Sequence, residues 1–281
     1  MPGIDRHPIL PTSRLIAVIS AIEKSLPRTF LARFWPSERE NLRELVQTGW
    51  IVGDQAVVSL ASFASTVIVG RMCGQEELGI YVLATTMFWL LAGIPNALTW
   101  TPFTSRAPRM SSDRRAAYTG SVTIHTILVT VILAALFGAV GLLPPAWFGQ
   151  GKWFSTMCLA LVPFTVMMTL REHVRRLCLS QVATREILLL DLPIAIAQLG
   201  LLLWLARSGQ LTANTGLIAI AAACLLSIVW LVARRSEFQF CRRRARVHWS
   251  YNLQFGRWLL AVSIAWLLAD SMYRWIVGWQ Y

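Results

Sequence analysis

Long apolar stretches alternate with short polar segments rich in arginine along most of the chain. The first stretch runs from Trp50 to Arg71, and about 20 helical residues are enough to cross a hydrocarbon core of about 30 Å. Six further stretches of this kind follow, so the pattern predicts seven membrane-spanning helices. We place them at residues 50–70, 79–101, 121–143, 154–170, 187–206, 211–233 and 257–278.

Composition also indicates a membrane protein. Hydrophobic residues make up 56% of the 281 residues and charged residues only 14%, whereas a soluble domain carries about a quarter charged residues. The expected fold class is therefore an all-α polytopic membrane protein. The five cysteines show no spacing typical of a metal site, so we expect neither a metal nor a cofactor.

The positions of lysine and arginine predict the orientation. The loops that follow spans one, three and five contain only Arg71, Lys152 and Arg207, whereas the other loops and the N-terminal tail are rich in arginine. By the positive-inside rule the N-terminus is cytoplasmic. The net charge of +12 arises in these loops, so we expect contact with anionic lipid and no binding of nucleic acid.

The pattern divides the chain into four parts. Residues 1–48 are a cytoplasmic tail. Within it, Ser13–Ile22 have the apolar spacing of an amphipathic helix on the membrane surface, and the alternative for this segment is a frayed tail. Residues 49–233 form a six-helix transmembrane bundle, residues 234–256 a basic cytoplasmic loop, and residues 257–281 the seventh helix.

Span one carries a stripe of polar residues. Gln55, Ser59, Ser62 and Thr66 follow the spacing i, i+4, i+7 and i+11, which places them on one helical face. Two interpretations stay open. The stripe lines a water-filled substrate path, or its small residues allow close packing with other helices through hydrogen bonds.

Three ionisable residues lie about one turn inside the predicted spans, namely Asp54, His125 and Asp191. A charge at the bilayer centre costs about 2.5–3.5 kcal/mol, so such residues are functional candidates. Their shallow depth also allows them to reach interfacial water. The alternative places them around a cytoplasm-facing vestibule with Gln55 and Asn96, where a carboxylate orients an arginine, binds sugar hydroxyls or takes a coupling proton.

Asp270 and Arg274 lie deep in span seven, four residues apart on one face. This spacing allows an ion pair within the helix, which lowers the cost of both charges. Alternatively, Arg274 projects into a cavity as a phosphate contact, and Asp270 fixes its orientation.

Two segments resemble a known family. The run DQAVVSLASFASTVIVGRMCGQEELGIYVLATT and the later run NALTWTPFTSRAPR are similar to the polysaccharide-exporter or O-antigen flippase branch of the multidrug/oligosaccharidyl-lipid/polysaccharide exporter superfamily. The resemblance implies a transporter without enzymatic activity in a bacterial inner membrane, which moves lipid-linked saccharides between leaflets. The residues that carry it are Asp54, Gln55, Ser59, Phe63, Arg71, Gly74–Glu77, Gly79 and Tyr81.

Members of that family usually have two bundles, whereas this chain has one bundle and a seventh helix. Span seven is therefore expected to be the first helix of a second bundle in a truncated transporter. Three origins stay open, namely a gene fragment, a frameshifted product and half of a split pair, and in the last case the partner is a second half-transporter chain or a second copy. Three alternatives remain from the sequence. They are a cation-coupled multidrug exporter, a membrane glycosyltransferase or ligase, and a membrane subunit that does not transport.

Overall fold

The computed structural model describes residues 38–144, 151–235 and 238–280, and the regular structure in these ranges is helical throughout. Six of the described helical segments are long and apolar enough to cross a membrane. The chain is thus an all-α multi-pass membrane protein, as predicted. The chain divides into two units, residues 1–49 and residues 50–281. The surface helix predicted at Ser13–Ile22 lies outside the described residues.

The second span is interrupted near its end. Pro95 has no amide hydrogen to continue the helical ladder, and a π-helical turn, Asn96–Trp100, follows it. The segment then continues through a short helix and a 3₁₀ turn, Ala107–Arg109. The α-helices are α1 (Glu38–Cys73), α2 (Gln75–Pro95), α3 (Thr101–Arg106), α4 (Ser112–Leu142), α5 (Gly151–Ser180), α6 (Thr184–Arg207), α7 (Ala213–Ala223), α8 (Leu226–Ala233) and α9 (Arg242–Gln280).

Three helices extend beyond the spans predicted from hydropathy. Residues 38–48 are part of α1, α5 continues to Ser180, and α9 begins at Arg242, within the segment 234–256 that separates the sixth and seventh predicted spans. The added stretches 38–48, 171–180 and 242–255 mix charged, polar and apolar residues and contain no glycine or proline. Sequences without glycine or proline can continue an α-helix beyond the apolar span, so hydropathy alone does not locate the helix ends.

The apolar core lies around α5, which contacts α2, α4, α6 and α7. Phe164 of α5 meets Phe88 of α2 edge to face at 5.2 Å between ring centroids. The last of the six candidate spans is broken at Cys224–Leu225 into α7 and α8. Core packing therefore holds α5 in the middle of the bundle, where any charged residue that it carries must find a partner.

A tight turn joins α5 to α6. Val182 has a φ angle of +58°, a left-handed conformation that is costly for a β-branched residue and is usually given to glycine after a helix. The amide of Ala183 donates to the carbonyl of Cys178 at 3.0 Å and closes the end of α5. This turn makes α5 and α6 neighbours and brings Arg171 opposite Asp191.

Candidate functional site: an ion cluster beside a polar cavity

Five charged side chains from α1, α5 and α6 form one ion cluster, Asp54, Arg171, Glu172, Arg175 and Asp191. Nε of Arg171 donates to Oδ1 of Asp191 at 2.8 Å. Arg175 donates through Nη2 to Oδ2 of Asp54 at 2.6 Å and through Nη1 to Oε1 of Glu172 at 3.0 Å. Its Nε also lies 2.7 Å from Oδ2 of Asp191, an ion-pair contact without the alignment of a hydrogen bond.

The ion cluster is almost inaccessible to solvent. Asp191 is 0% exposed, Asp54 3% and Arg171 5%. Buried charges are tolerated only when partners offset the loss of hydration, and removal of one partner leaves the others uncompensated. Three carboxyl groups face two guanidinium groups, no described donor reaches Oδ1 of Asp54, and the carboxyl groups of Asp54 and Asp191 lie within hydrogen-bond reach of each other. The ion cluster can therefore accept one more donor or one more positive charge.

A cavity of about 580 Å³ lies next to the ion cluster. Most of its lining is apolar, and we call it the polar cavity for the hydroxyl, amide and guanidinium side chains on its wall. Arg171 belongs to both, because its side chain pairs with Asp191 and also lines the cavity. Gln198 of α6 is on the same wall and donates to the hydroxyl of Ser65 at 2.7 Å. The lining residues are Val58, Ser59, Ala61, Ser62, Phe63, Thr66, Tyr81, Thr85, Trp89, Phe164, Met168, Arg171, Ala195, Gln198 and Ile220.

The predicted stripe on span one largely coincides with a wall of this cavity. Ser59, Ser62 and Thr66 line it, whereas Gln55 is exposed and lies outside the lining. The helix-packing role falls to the neighbouring Ser65, which is buried and bonded to Gln198. Passage of a substrate along the stripe stays a prediction.

The carboxylates of Asp54 and Asp191 do not reach interfacial water, so that interpretation is wrong. Both are buried and face arginines of α5. The reason is tertiary, since the guanidinium groups offset the two negative charges inside the bundle. Of the three functional roles considered for a carboxylate at this depth, the contacts match the orientation of an arginine.

The other predicted vestibule residues lie elsewhere. Nε2 of His125 donates to the carbonyl oxygen of Ala245 at 2.9 Å, and its ring meets that of Trp249 edge to face. Asn96 lies in the π-helical turn, where its Oδ1 accepts from the hydroxyl of Thr101 at 3.5 Å. Neither residue lines the polar cavity. The side chains of Asp270 and Arg274 are outside the described part of the chain.

Sequence reasoning missed Arg171, Glu172 and Arg175 as site residues. It ended span four at residue 170 and counted both arginines as loop cations. A signal was present, because the segment REHVRRLCLS continues without glycine or proline and places Arg171 and Arg175 one helical turn apart. Because α5 extends beyond residue 170, both arginines lie on one face of it, and there they contact Asp54 of α1 and Asp191 of α6.

His125 is part of a second buried polar region, the seam between α4 and α9. The hydroxyl of Tyr118 donates to Oδ1 of Asn252 at 2.7 Å. The hydroxyl of Ser121 donates a hydrogen bond to the carbonyl oxygen of Ala117. Its oxygen is therefore the acceptor for Nδ1–H of His248, at 2.8 Å. The seam is formed by Tyr118, Ser121, His125, Ala245, His248 and Asn252, none of which carries a carboxylate.

Comparison of the chain with protein-family models, curated proteins and solved structures found no match.

Proposed function

We propose that this protein is a membrane transporter that moves lipid-linked oligosaccharides or polysaccharides across a bacterial inner membrane, with its N-terminus in the cytoplasm. The observation that carries the proposal is the polar cavity between membrane helices, in which Arg171 is the one charged residue of the described lining. The arginine-rich loops of the sequence support the orientation. The sequence resemblance supports the substrate class and the assembly with a second half-transporter chain or a second copy.

The chemistry of the cavity fits a saccharide with an anionic linkage. Arg171 uses Nε to hold Asp191, and its two Nη groups donate to no side chain among those described. A guanidinium group that is oriented in this way presents two parallel donors to a phosphate. The hydroxyls of Ser59 and Ser62 can exchange hydrogen bonds with sugar hydroxyls, and the exposed ring of Trp89 offers an apolar face to a sugar ring.

A cation-coupled multidrug exporter is the alternative. Such a transporter needs a carboxylate on the cavity wall to attract a cationic substrate. Asp54 and Asp191 instead turn towards Arg171 and Arg175, and neither carboxylate lines the cavity. The one charged residue of the described lining, Arg171, is positive, so the lining favours an anionic substrate.

Protection of cavity cysteines from alkylation tests the proposal. Single cysteines replace Ser62 on the cavity wall and Leu60, whose side chain is 66% exposed on another face of α1. The background carries Cys73→Ser and Cys241→Ser, since these are the cysteines that are not fully buried. An aqueous thiol reagent should modify Ser62→Cys, and a polyprenyl-diphosphate oligosaccharide should slow that reaction at least fivefold.

The Leu60→Cys variant is the matched control, and its reaction should be independent of added substrate. Arg171→Lys keeps the charge but removes the paired donors, so it should weaken the protection of Ser62→Cys. Protection by a cationic amphiphile but not by the diphosphate compound would contradict the proposal and favour the multidrug exporter. Equal protection at both positions would mean that the compound acts on the detergent or bilayer rather than in the cavity.

A further inference from the structure

The first turns of α9 present three different faces. Ala245, His248, Asn252 and Gly256 face the bundle, and three of them belong to the seam with α4. Gly256 lies on the backbone of the π-helical turn, where an added Cβ would be 2.5 Å from the carbonyl oxygen of Ala97. These contacts fix the rotation of α9 and therefore determine which of its residues point away from the bundle.

One outward face is basic. Arg243, Arg246 and Arg257 follow the spacing i, i+3 and i+14, which places them on one side of a helix, and all three are exposed. No carboxylate whose side chain the structure describes forms an ion pair with them. A row of unpaired arginines on a docked helix is a surface that attracts anions.

The adjacent outward face is apolar and aromatic. Val247 is 61% exposed, Tyr251 58% and Trp258 69%, and they follow the spacing i, i+4 and i+11. Phe255 lies on the same side and is 39% exposed. A helix with a basic flank and an aromatic flank has the pattern of one that lies in the interface between headgroups and acyl chains.

Contacts place this part of α9 near the ends of two membrane spans. The candidate spans end at Arg109 and begin again at Ser112. The guanidinium of Arg106 lies 4.6 Å from the ring centroid of Tyr251, and the amide of Gln239, just before α9, donates to the carbonyl of Ala116 at 3.2 Å. Both contacts hold this part of the chain close to that turn, at the level where lipid headgroups meet a multi-pass protein.

We propose that the outward faces of α9 form a binding surface for anionic phospholipids. Arg243, Arg246 and Arg257 contact the headgroup phosphates, and Val247, Tyr251, Phe255 and Trp258 contact the upper acyl chains. The anionic headgroup and the apolar chain are both required, because the basic and aromatic faces are contiguous on one helix. The assignment is independent of the transport function proposed above.

Lipid-dependent thermal stability of the full chain tests this surface. The protein in a neutral detergent is titrated with phosphatidylglycerol or with phosphatidylcholine, and its unfolding temperature is followed. Phosphatidylglycerol should raise the unfolding temperature more than phosphatidylcholine does. Each arginine near an anionic surface strengthens binding about fivefold, so Arg243→Gln with Arg246→Gln should weaken the response to phosphatidylglycerol about 25-fold.

The matched control is Arg71→Gln with Arg207→Gln, two exposed arginines on α1 and α6, and its response should equal that of the unaltered protein. Arg243→Lys with Arg246→Lys should restore the response, since charge is sufficient for this attraction. An unchanged response in the Arg243→Gln, Arg246→Gln protein would overturn the proposal. A response to inorganic phosphate alone would also overturn it, because the apolar face would then have no part.

A photoreactive phosphatidylglycerol gives a second measurement that needs no substitution. In the unaltered protein, the cross-links should be found in residues 243–258 by mass spectrometry. Cross-links confined to other segments would overturn the assignment, even if the substituted proteins failed to fold.

Discussion

The ion cluster and the seam both bury polar side chains between helices, but they do so with different chemistry. The seam joins α4 to α9 through neutral groups, such as the Tyr118 hydroxyl and the Asn252 amide. The ion cluster joins α5 to α1 and α6 through two arginines and three carboxylates. Neutral hydrogen bonds between membrane helices contribute about 0.6 kcal/mol each, which is enough to help fix a helix. Charges are not needed for packing alone.

The comparison indicates where function is to be sought. A buried ion pair is often no more stable than apolar residues of similar volume, although breaking it is strongly destabilising. The ion cluster therefore makes the bundle sensitive to the loss of any one charge, without making it more stable than apolar residues would. What it does supply is an oriented guanidinium, that of Arg171, at the wall of the polar cavity. The seam supplies no charge to a cavity and is explained by helix docking.

Removal of Arg175 is the sharpest test of this contrast. Arg175→Met should lower the free energy of unfolding by about 3–5 kcal/mol, because Asp54, Glu172 and Asp191 then lose a shared buried partner. Arg207→Met, at an exposed position at the end of α6, is the control and should change stability by less than about 0.5 kcal/mol. Reversible unfolding in mixed micelles provides the measurement. Equal, small effects would mean that the ion cluster is hydrated and that its charges are not coupled.

The sequence predicted the fold class and much of one cavity wall, because both depend on periodicity within single helices. The apolar stretches define the spans, and the spacing of Ser59, Ser62 and Thr66 defines a face of α1. The ion cluster needed more, since the pairing of Asp54 with Arg175 depends on how far α5 extends and which helices it meets. His125 was misplaced for a similar reason, because its partner Ala245 lies in a helix that was predicted to be a loop.

Docking of α9 depends on close backbone contact as well as on hydrogen bonds. Gly256→Leu should destabilise the protein by about 1–3 kcal/mol, because its side chain would collide with the backbone at Ala97 and Leu98. The control is Gly200→Leu in α6, where an added Cβ meets nothing within 4 Å. Thermal unfolding, together with proteolysis in residues 238–241, should distinguish the two variants. Identical behaviour of both would show that α9 is not held against the π-helical turn.

The seam, although neutral at pH 7, should respond to acid through His248. Burial lowers the pKa of His248, and the nearby positive charge of Arg244 lowers it further. The unfolded chain therefore binds a proton more readily than the folded one, so this contribution to stability is present above about pH 6.5 and is lost as the pH falls through the folded pKa. Unfolding temperatures between pH 8 and pH 5 should show this decline.

His248→Gln is the matched variant for that experiment. A glutamine amide can still donate to the oxygen of Ser121 but does not titrate. The variant should therefore lose less stability than the unaltered protein over the same pH range. An identical decline in both proteins would assign the acid sensitivity to other groups and leave the seam insensitive to pH.

The smallest expected effect concerns Cys241, at the beginning of α9. Among the cysteines it is the exposed one, and its pKa is lowered, first by the backbone amide of Arg244 and then, in part, by the amide of Arg243 and the two arginine charges. A thiol with a lowered pKa is ionised to a greater extent at pH 7, and its alkylation rate reaches its maximum at a lower pH. The rate of alkylation against pH should therefore level off below the pH expected of an ordinary cysteine.

Because the amides that lower the pKa of Cys241 belong to the first turn of α9, Gly256→Leu should leave this pH profile unchanged if loss of docking leaves the helix itself intact. A profile that moves back to the ordinary pKa in Gly256→Leu would instead show that the seam is needed to form the first turn, and the seam would then organise α9 as well as hold it.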